Sequence, residues 1–453
     1  MENEQPKFSI LMFPWLAHSH VFPFLGLAKT LSKRSFHIYF CSSAINLDSI
    51  RNNMATYLPI ATASIDLIEL RLPSLPELPS QFHTTKNLPP NLLPILLQAF
   101  QMSSSSFSEV LNALRPDLLI YDFFQPWAAK LALSQGIPSV YFATTGAAPF
   151  SFFYHLYTYG TTTTFPYQEI YLLEHEKVDL RAPVEPKVKD ADEDFAFGNF
   201  KLSSNIVLVK SLRGVEGKYI DYLSALCQKK VVPTGPIVQE PNDEDEGCWE
   251  ILQWLSRKER FSTVFICFGS EHFLSKEQIL EIAKGLELCE SNFIWATRFP
   301  VEEETLCIED AFPSGFLDRV KERGLVLRKW APQAKILSCP SIGGFVSHCG
   351  WSSIMESMYF GIPVIAMPIK FDQPINARLV VEASAGVEVG RDENGLFSAK
   401  AVAEAINKVI METNEGGLRN GARKLSQKMK NEEEQAENEA AQELLWLCKK
   451  SKQ

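Results

Sequence analysis

The sequence lacks the features that mark membrane, nucleic-acid-binding and disulfide-rich proteins. No stretch approaches the roughly 18 consecutive apolar residues that a membrane-spanning helix needs. The net charge is −10 and the basic residues are scattered, which argues against binding to nucleic acid or to an anionic membrane. The nine cysteines are an odd number and contain no C-x-x-C pair, so we expect free thiols in a reducing compartment.

Several catalytic motifs are missing as well. The chain has no G-x-S-x-G turn of a serine hydrolase, no Walker A phosphate loop and no H-E-x-x-H metal motif. No G-x-G-x-x-G follows the first apolar run, which argues against a nicotinamide-dependent oxidoreductase. The acidic start, MENEQPKFSI, lacks the basic and long apolar regions of a signal peptide. Together with the free thiols, this predicts a cytoplasmic location.

Short β-rich apolar runs alternate with amphipathic helical segments along most of the chain. Such β–helix–β alternation predicts parallel sheets with helices on both faces. It occurs twice, and 453 residues exceed one ordinary core, so the predicted fold is α/β with two doubly wound, Rossmann-like domains. The predicted strands are residues 8–15, 36–43, 65–72, 118–122, 139–144 and 205–211 in the first half, and 263–270, 292–298, 324–330, 343–348, 363–368 and 385–390 in the second.

The predicted boundary between the domains is the acidic segment QEPNDEDEGC, residues 239–248, where hydrophobicity collapses. The chain then divides into an N-terminal domain of residues 1–238, a linker of residues 239–262 and a C-terminal domain of residues 263–430. From about residue 418 the chain is predicted to form a charged helix that ends in the apolar stretch ELLWLC, and residues 431–453 of it are predicted to return to the N-terminal domain.

The stretch HCGWSSIMES combines a strand end with a helix start, the place where doubly wound sheets bind ligands. His348 follows the predicted strand, Gly350 allows close approach of the backbone, and Ser352 and Ser353 open a helix. A helix N-terminus has unpaired N–H groups and can hold phosphate without a metal. Alternatively, Ser353 and Glu356 form a capping box with no ligand. The adjacent histidine and tryptophan favour the ligand.

His20 and Asp122 are the predicted proton-transfer pair. His20 follows the first predicted strand, and Asp122 ends the strand LLIYD. If both strands lie in one parallel sheet, these two side chains meet at the same edge. A carboxylate behind an imidazole fixes its tautomer and stabilises the imidazolium, as a general base requires.

The polar stretch PVEPKVKDADEDF, residues 183–195, is interpreted as a loop within the first domain. Its Asp190 and Asp192 could suggest a metal that binds a nucleotide sugar. The run is acidic and solvated, so we assign both carboxylates to loop charge and expect no metal.

Residues 330–373, WAPQAKILSCPSIGGFVSHCGWSSIMESMYFGIPVIAMPIKFDQ, resemble the signature box of plant family 1 UDP-sugar glycosyltransferases and match most of its fixed positions. Three other segments resemble the family: FPWLAHSHVFPFLGLAK its N-terminal loop and helix, LLIYDFFQPWAAKLA its acid-bearing strand, and VFICFGS its central strand. The resemblance implies a GT-B fold. The N-terminal domain would bind the acceptor, the C-terminal domain the UDP-sugar, and the reaction would take place in the cleft.

The resemblance also implies which residues hold the uridine. Trp330 would stack on uracil, with the Ala331 backbone and Gln333 holding the base and ribose. Glu356 would accept hydrogen bonds from the ribose hydroxyls.

The diphosphate positions follow from the same resemblance. His348 and Ser353 would bind the diphosphate with the helix N-terminus, and Ser270 would reach it from the other side. Ser352 stands where the family usually has asparagine. It can still donate a hydrogen bond, but one amide contact is lost.

At the sugar, the resemblance implies that Asp372 and Gln373 hydrogen-bond the hydroxyls and that Trp351 lies near O4. His20 would be the catalytic base, with Asp122 as its partner.

The implied reaction is a single inverting displacement that forms a β-glycoside. The base removes a proton from an acceptor hydroxyl as it attacks C1 of the α-linked sugar, and the helix N-terminus meets the charge of the leaving UDP without a metal. UDP-glucose is the expected donor substrate, because Gln373 resembles the residue of glucose-using members; UDP-xylose, UDP-galactose and UDP-glucuronate stay open. We expect no permanently bound cofactor, and the resemblance suggests a monomer.

The acceptor prediction depends on two segments that resemble the branch-forming group of the family, ILMFPWLAHSHVFPFLGLAKTLSKRSFHIYFCSS and EGKYIDYLSALCQKKVVPTGP. Those enzymes add a sugar to a sugar already on an aglycone, such as a flavonoid, triterpenoid or carotenoid-derived glycoside. Mogroside-type triterpene glycosides are the preferred acceptors, with the linkage open. One alternative is direct transfer to a flavonoid or terpenoid aglycone. Another, from a different class, is a UDP-sugar-binding protein without catalysis.

Overall fold

The computed structural model contains two compact units, each built on one parallel sheet. Unit 1 comprises Met1–Thr158, Pro186–Ile237 and Glu432–Gln453, and unit 2 comprises Tyr159–Glu185 and Val238–Asn431. The residues that the structure describes are 8–55, 64–161, 163–177, 197–241, 248–269, 272–299, 308–328, 331–411 and 417–452.

The strands of both units form parallel sheets. In unit 1 they are β1 Phe8–Phe13, β2 Phe36–Ser42, β3 Ile65–Glu69, β4 Leu118–Tyr121, β5 Ser139–Ala143, β6 Ile206–Val209 and β7 Lys230–Pro233. In unit 2 they are β8 Thr263–Cys267, β9 Asn292–Ala296, β10 Gly324–Leu327, β11 Ile342–Ser347, β12 Val364–Ala366 and β13 Gly386–Glu388. The sheet orders are β3-β2-β1-β4-β5-β6-β7 and β10-β9-β8-β11-β12-β13. The predicted α/β class with two parallel sheets is confirmed.

Helices connect these strands and follow the last of them. They are α1 His18–Ser32, α2 Ala44–Ala55, α3 Leu93–Met102, α4 Ser104–Leu114, α5 Pro126–Ser134, α6 Ala147–Tyr159, α7 Gly198–Leu202, α8 Arg213–Cys227, α9 Cys248–Leu255, α10 Lys276–Glu287, α11 Phe316–Val320, α12 Gln333–Leu337, α13 Trp351–Phe360, α14 Gln373–Glu382, α15 Ala399–Ile410 and α16 Leu418–Lys450. Short 3₁₀ helices lie at Ser80–Phe82, Pro90–Leu92, Glu174–Glu176 and Ile308–Ala311. In the described part of the chain, no helix is both long enough and apolar enough to cross a bilayer.

All twelve predicted strands are present, and most end a few residues earlier than predicted. The structure adds β7, which the sequence reasoning missed because its K-V-V-P run is only four residues long and ends on proline. The predicted loop at residues 183–195 lies outside the described residues, as do residues 242–247 of the predicted boundary segment.

The apolar core of unit 1 joins the two ends of the chain. Ile10 of β1 and Phe24 of α1 are fully buried in the same cluster as Leu444, Leu447 and Cys448 of α16. Each fully buried leucine of this kind contributes about 1.5–3 kcal/mol to folding. The apolar end of the charged helix therefore packs against the first strand and helix of its own unit.

The sheet of unit 2 is apolar on both faces. Val264 and Ile266 of β8 belong to one buried cluster, and Phe265 between them belongs to the other. Side chains of a strand alternate between faces, so a run that is apolar at every position needs a cover on each side. This is the arrangement that the continuous run TVFIC predicts.

Candidate active site

In unit 1, the imidazole of His20 lies against the carboxylate of Asp122, with 2.8 Å between Nδ1 and Oδ2. Asp122 follows β4, and His20 lies in the first turn of α1 after β1. These strands are parallel neighbours in which Phe13 pairs with Tyr121, so their loops leave from one edge of the sheet. His20 and Asp122 therefore meet at this edge, as predicted.

The surroundings of Asp122 hold it as a fixed acceptor. Its side chain is 1% exposed, against 22% for His20. Oδ2 also accepts the Trp15 backbone N–H at 2.8 Å, and Oδ1 accepts that of Phe123 at 2.7 Å. A carboxylate that accepts from Nδ1–H leaves the lone pair of the imidazole on Nε2. The pair thus has the tautomer that removes a proton through Nε2.

Thr144 is a third member of this group that the sequence reasoning missed. Its Oγ1 lies 3.2 Å from Nδ1 of His20. Thr144 directly follows β5, the strand next to β4. Its place at the end of the predicted strand SVYFAT was the available signal, because the carboxyl ends of neighbouring parallel strands meet at one edge.

In unit 2, the helix that follows β11 begins at Trp351 with Gly350 as its N-cap residue. Ser353 is therefore inside the first turn, so the capping-box alternative for Ser353 and Glu356 is wrong. A capping box needs the serine at the N-cap and the acid three residues later. Within this described helix, the first turn carries no acidic residue. Its N–H groups and two serine hydroxyls form a set of donors suited to an anion.

Gln333 and Glu356, both predicted at the uridine, are in direct contact. Nε2 of Gln333 donates to Oε2 of Glu356 at 2.7 Å and lies 3.4 Å from Oγ of Ser353. Gln333 begins α12, just after the buried Ala331. Glu356 is 7% exposed, so its carboxylate is held where water screens it little.

His348 is closely confined by two glycines. If Gly269, whose φ is +77°, carried a Cβ atom, that atom would lie 2.7 Å from ring atoms Cε1 and Nε2 of His348. A Cβ atom on Gly350 would lie 2.5 Å from Nε2 of the same ring. Burial lowers the pKa of His348 to about 4, with a further contribution from His272 nearby. The imidazole is therefore neutral at pH 7. A backbone hydrogen bond with Cys267 acts against this lowering of the pKa.

Asp372 and Gln373 lie where the chain enters α14, with Asp372 as the N-cap residue. Oε1 of Gln373 accepts the backbone N–H groups of Ile369 and Lys370 at 2.9 and 3.0 Å. These two bonds fix the orientation of the Gln373 amide. Asn376, which the sequence reasoning missed, contacts Asp372 on the following turn.

A buried ion pair, also missed from sequence, lies further along α14. Nη2 of Arg378 lies 2.9 Å from both carboxylate oxygens of Glu176, and the two side chains are 3% and 2% exposed. Nη1 lies 3.4 Å from Glu388 of β13 and donates to the Pro374 carbonyl at 2.9 Å. Burial raises the pKa of Glu388, and Arg378 acts against that rise. These contacts join α14 to β13 and to the segment around residue 176.

Of the other predicted donor positions, Trp351 is buried and Ser352 is half-buried in the first turn of α13. Trp330 and Ser270 lie outside the described residues, as do Asp190 and Asp192. Among the described residues, no three His, Cys, Asp or Glu side chains are grouped so that they could hold a metal ion.

Comparison with known proteins matches both halves of the chain. Residues 257–428 match the family model described as UDP-glucoronosyl and UDP-glucosyl transferase, and residues 6–239 match that of the glycosyltransferase N-terminal domain. A mogroside IIIx synthase of Siraitia grosvenorii is 49% identical over 95% of this chain and 96% of its own. A β-D-glucosyl crocetin β-1,6-glucosyltransferase of Gardenia jasminoides is 45% identical over 88% of this chain and 90% of its own.

Among solved structures, the fold is similar to Glycyrrhiza uralensis UGT73P12 complexed with glycyrrhetinic acid 3-O-monoglucuronide. The TM-score is 0.84 over 98% of this chain and 96% of that one. The two sequences are 23% identical, so this likeness concerns the fold alone.

Proposed function

This chain belongs to the family of UDP-glucoronosyl and UDP-glucosyl transferases and is a UDP-glycosyltransferase, and we propose that it transfers glucose from UDP-glucose to a sugar hydroxyl of a small-molecule glycoside. The transfer inverts the anomeric centre and forms a β-glycosidic bond. His20 is the general base in this proposal, and the residues around α13 and α14 bind the donor.

The observation that carries the proposal is the 2.8 Å contact between Nδ1 of His20 and Oδ2 of Asp122. With Nδ1–H directed to a buried carboxylate, Nε2 takes the proton of the acceptor hydroxyl as that oxygen attacks C1. Asp122 then stabilises the imidazolium that forms. General-base catalysis of this kind accelerates a reaction by about 100- to 10,000-fold. A protein that only bound UDP-sugar would have no need of this pair.

The leaving UDP meets the N-terminus of α13. This N-terminus offers backbone N–H groups with the hydroxyls of Ser352 and Ser353, and His348 adds a neutral imidazole. These donors stabilise the negative charge that develops on the diphosphate without a metal ion. Activity that survives an excess of EDTA is the expected result, whereas activity restored only by added Mg²⁺ or Mn²⁺ would contradict metal independence.

The proposed sugar acceptor is supported by the relatives. The Gardenia jasminoides relative is named for adding glucose to a glucosyl crocetin, and the Siraitia grosvenorii relative for making mogroside IIIx. We extend this to glycosides of triterpenoid type, with mogroside-type glycosides first. Direct transfer to a flavonoid or terpenoid aglycone is the competing proposal. A cytoplasmic location completes the proposal and is supported by the nine cysteines, which have no C-x-x-C pair. The proposed monomer is supported by the family resemblance.

The deciding experiment is a product assay by liquid chromatography and mass spectrometry. The purified chain receives UDP-glucose with matched acceptor pairs, each as the free aglycone and as its monoglucoside. A hexose added only to the monoglucosides is the expected result, and NMR then gives the linkage. A hexose added to the aglycones would favour direct transfer. Parallel reactions with UDP-xylose, UDP-galactose and UDP-glucuronate rank the donors by kcat/KM.

A further inference from the structure

Asp372 occupies the N-cap position of α14, yet its carboxylate does not cap that helix. An aspartate in this position normally accepts a backbone N–H of the second or third helical residue. Here the second residue is Pro374, which has no N–H, and no side-chain cap hydrogen bond is present among the described residues. The backbone of Asp372, with φ −79° and ψ −11°, is also not the extended one usual for a cap.

The carboxylate instead receives a hydrogen bond from Asn376. Nδ2 of Asn376 lies 3.1 Å from Oδ2 of Asp372 and 3.0 Å from the carbonyl oxygen of Cys349. A side-chain amide carries two N–H groups, one for each acceptor. One residue therefore connects the carboxylate to the turn between His348 and Gly350.

The surroundings of Asn376 indicate that its side-chain NH₂ group, which donates both hydrogen bonds, is what this position requires. The side chain is fully buried, and its Oδ1 has no hydrogen-bond partner among the described residues. Burying an amide oxygen without a partner is unfavourable, so the two donated bonds must outweigh it. Cys349, which receives one of them, has a left-handed φ of 65°. An unpaired buried amide oxygen and a left-handed φ at a residue other than glycine both break the usual local rules, and such exceptions are expected at functional sites.

We propose that Asn376 is a positioning residue that directs the Asp372 carboxylate toward the donor sugar. This inference rests on the proposed function, in which Asp372 binds the sugar and His348 lies at the diphosphate. Asn376 is buried and acts through Asp372. A merely structural role would weaken folding and UDP binding together, whereas positioning affects the steps that depend on the sugar.

The test is a double-mutant cycle with UDP-glucose as donor and the best acceptor of the product assay. Wild type, Asp372→Ala, Asn376→Ala and the double variant are compared by kcat/KM, and each is titrated with UDP, which lacks the sugar. Asn376→Ala is expected to lower kcat/KM by about 100-fold, as for a misplaced binding group. Its Kd for UDP should stay within about 3-fold of wild type. Because Asn376 acts through Asp372, adding Asn376→Ala to Asp372→Ala should lower kcat/KM by no more than about 2-fold.

Two further variants keep the cycle interpretable. Asn376→Asp preserves the size of the side chain but replaces the donating nitrogen by an oxygen beside Asp372, so it should lose at least as much kcat/KM as Asn376→Ala. It also serves if the alanine variant does not fold. Asn292→Ala is the matched control, because Asn292 donates to the Ser262 carbonyl at the opposite, amino-terminal end of β9. It should change kcat/KM by less than about 2-fold.

The outcomes separate this inference from the proposed function. An unchanged kcat/KM in Asn376→Ala, a loss that simply adds to that of Asp372→Ala, or an equal loss of UDP binding would each overturn the role of Asn376. The role of Asp372 would then still stand. A normal kcat/KM in Asp372→Ala would refute the sugar-binding assignment of Asp372 and the inference with it.

Discussion

The side-chain amide of Gln333 donates a 2.7 Å hydrogen bond to the carboxylate of Glu356, joining the start of α12 to the middle of α13. A carboxylate held in this way keeps one direction, and in the proposed donor site it would accept the ribose hydroxyls without first reorganising. Gln333→Ala should therefore raise KM for UDP-glucose by about 10-fold, since a hydrogen bond to a charged group contributes roughly 1.5–3 kcal/mol. The kcat at saturating donor should change much less.

The control for this variant is Gln427→Ala. Gln427 is an exposed glutamine of unit 2 that also makes a side-chain hydrogen bond, to Asn431 at 2.9 Å. Its KM for UDP-glucose should stay at the wild-type value. Equal KM values for the two variants would show that the contact with Glu356 has no part in donor binding.

Replacing His20, the proposed base, should abolish most transfer while leaving the proposed donor site intact. His20→Ala is expected to reduce kcat by about 100- to 10,000-fold, because the acceptor hydroxyl loses its proton acceptor. Asp122→Asn should also lower kcat, since an amide no longer fixes the imidazole tautomer. Steady-state kinetics measure the loss of kcat, and the Kd for UDP shows separately whether donor binding is retained.

The chain offers a matched control for this experiment. His37 and Asp66 form a second histidine–carboxylate contact in unit 1, at 2.9 Å, but it is exposed. His37→Ala should keep kcat within about 2-fold of wild type. A fully active His20→Ala variant would refute the assignment of the base.

The protonation of His348 should make stability depend on pH in a defined window. Burial lowers its pKa from 6.5 to about 4, so the unfolded chain binds this proton more readily than the folded one. The contribution of His348 to the free energy of unfolding is therefore fully present above pH 6.5 and is lost as the pH falls through about 4.

His348→Gln removes this titrating group. The difference in unfolding free energy between wild type and His348→Gln should grow in favour of wild type as the pH rises from about 4 to 6.5. Urea denaturation at several pH values measures it. A difference that is constant over this range would show that His348 titrates alike in both states.

Removing one partner of the buried ion pair of Arg378 and Glu176 should lower the free energy of unfolding strongly. Replacing both partners together should lower it less than the two single changes added. Removing one partner leaves a buried charge uncompensated, which typically costs about 3–5 kcal/mol. Arg378→Met and Glu176→Gln should each destabilise unit 2, but the double variant should lose less than the sum of the two. Chemical denaturation of all four proteins measures the coupling. Strict additivity would indicate that the contact contributes nothing.

Much of the fold was readable from the sequence because its signals are local. Continuous apolar runs such as TVFIC require cover on both faces, and the two parallel sheets are the result. The meeting of His20 and Asp122 was also predictable, since parallel strands bring their carboxyl ends to one edge. The short strand β7 was missed because four residues carry too little pattern.

The spacing of Ser353 and Glu356 shows where local reasoning fails. Their separation fits a capping box, but the helix starts earlier, with Gly350 at its N-cap, and Glu356 contacts Gln333 of another helix. Which residue begins a helix depends on the preceding turn, and here Cys349 takes a left-handed conformation. A spacing rule does not contain that information.

The sequence by itself determined the alternation of strands and helices, and the polar residues that follow each strand end. It did so because periodicity and strand-end position are properties of neighbouring residues. Only the tertiary structure decided that Thr144 reaches His20, that Asn376 donates to Asp372, and that Arg378 pairs with a carboxylate 202 residues away. These contacts depend on how separate segments pack, and no local pattern specifies the 3 Å distances on which a hydrogen bond depends.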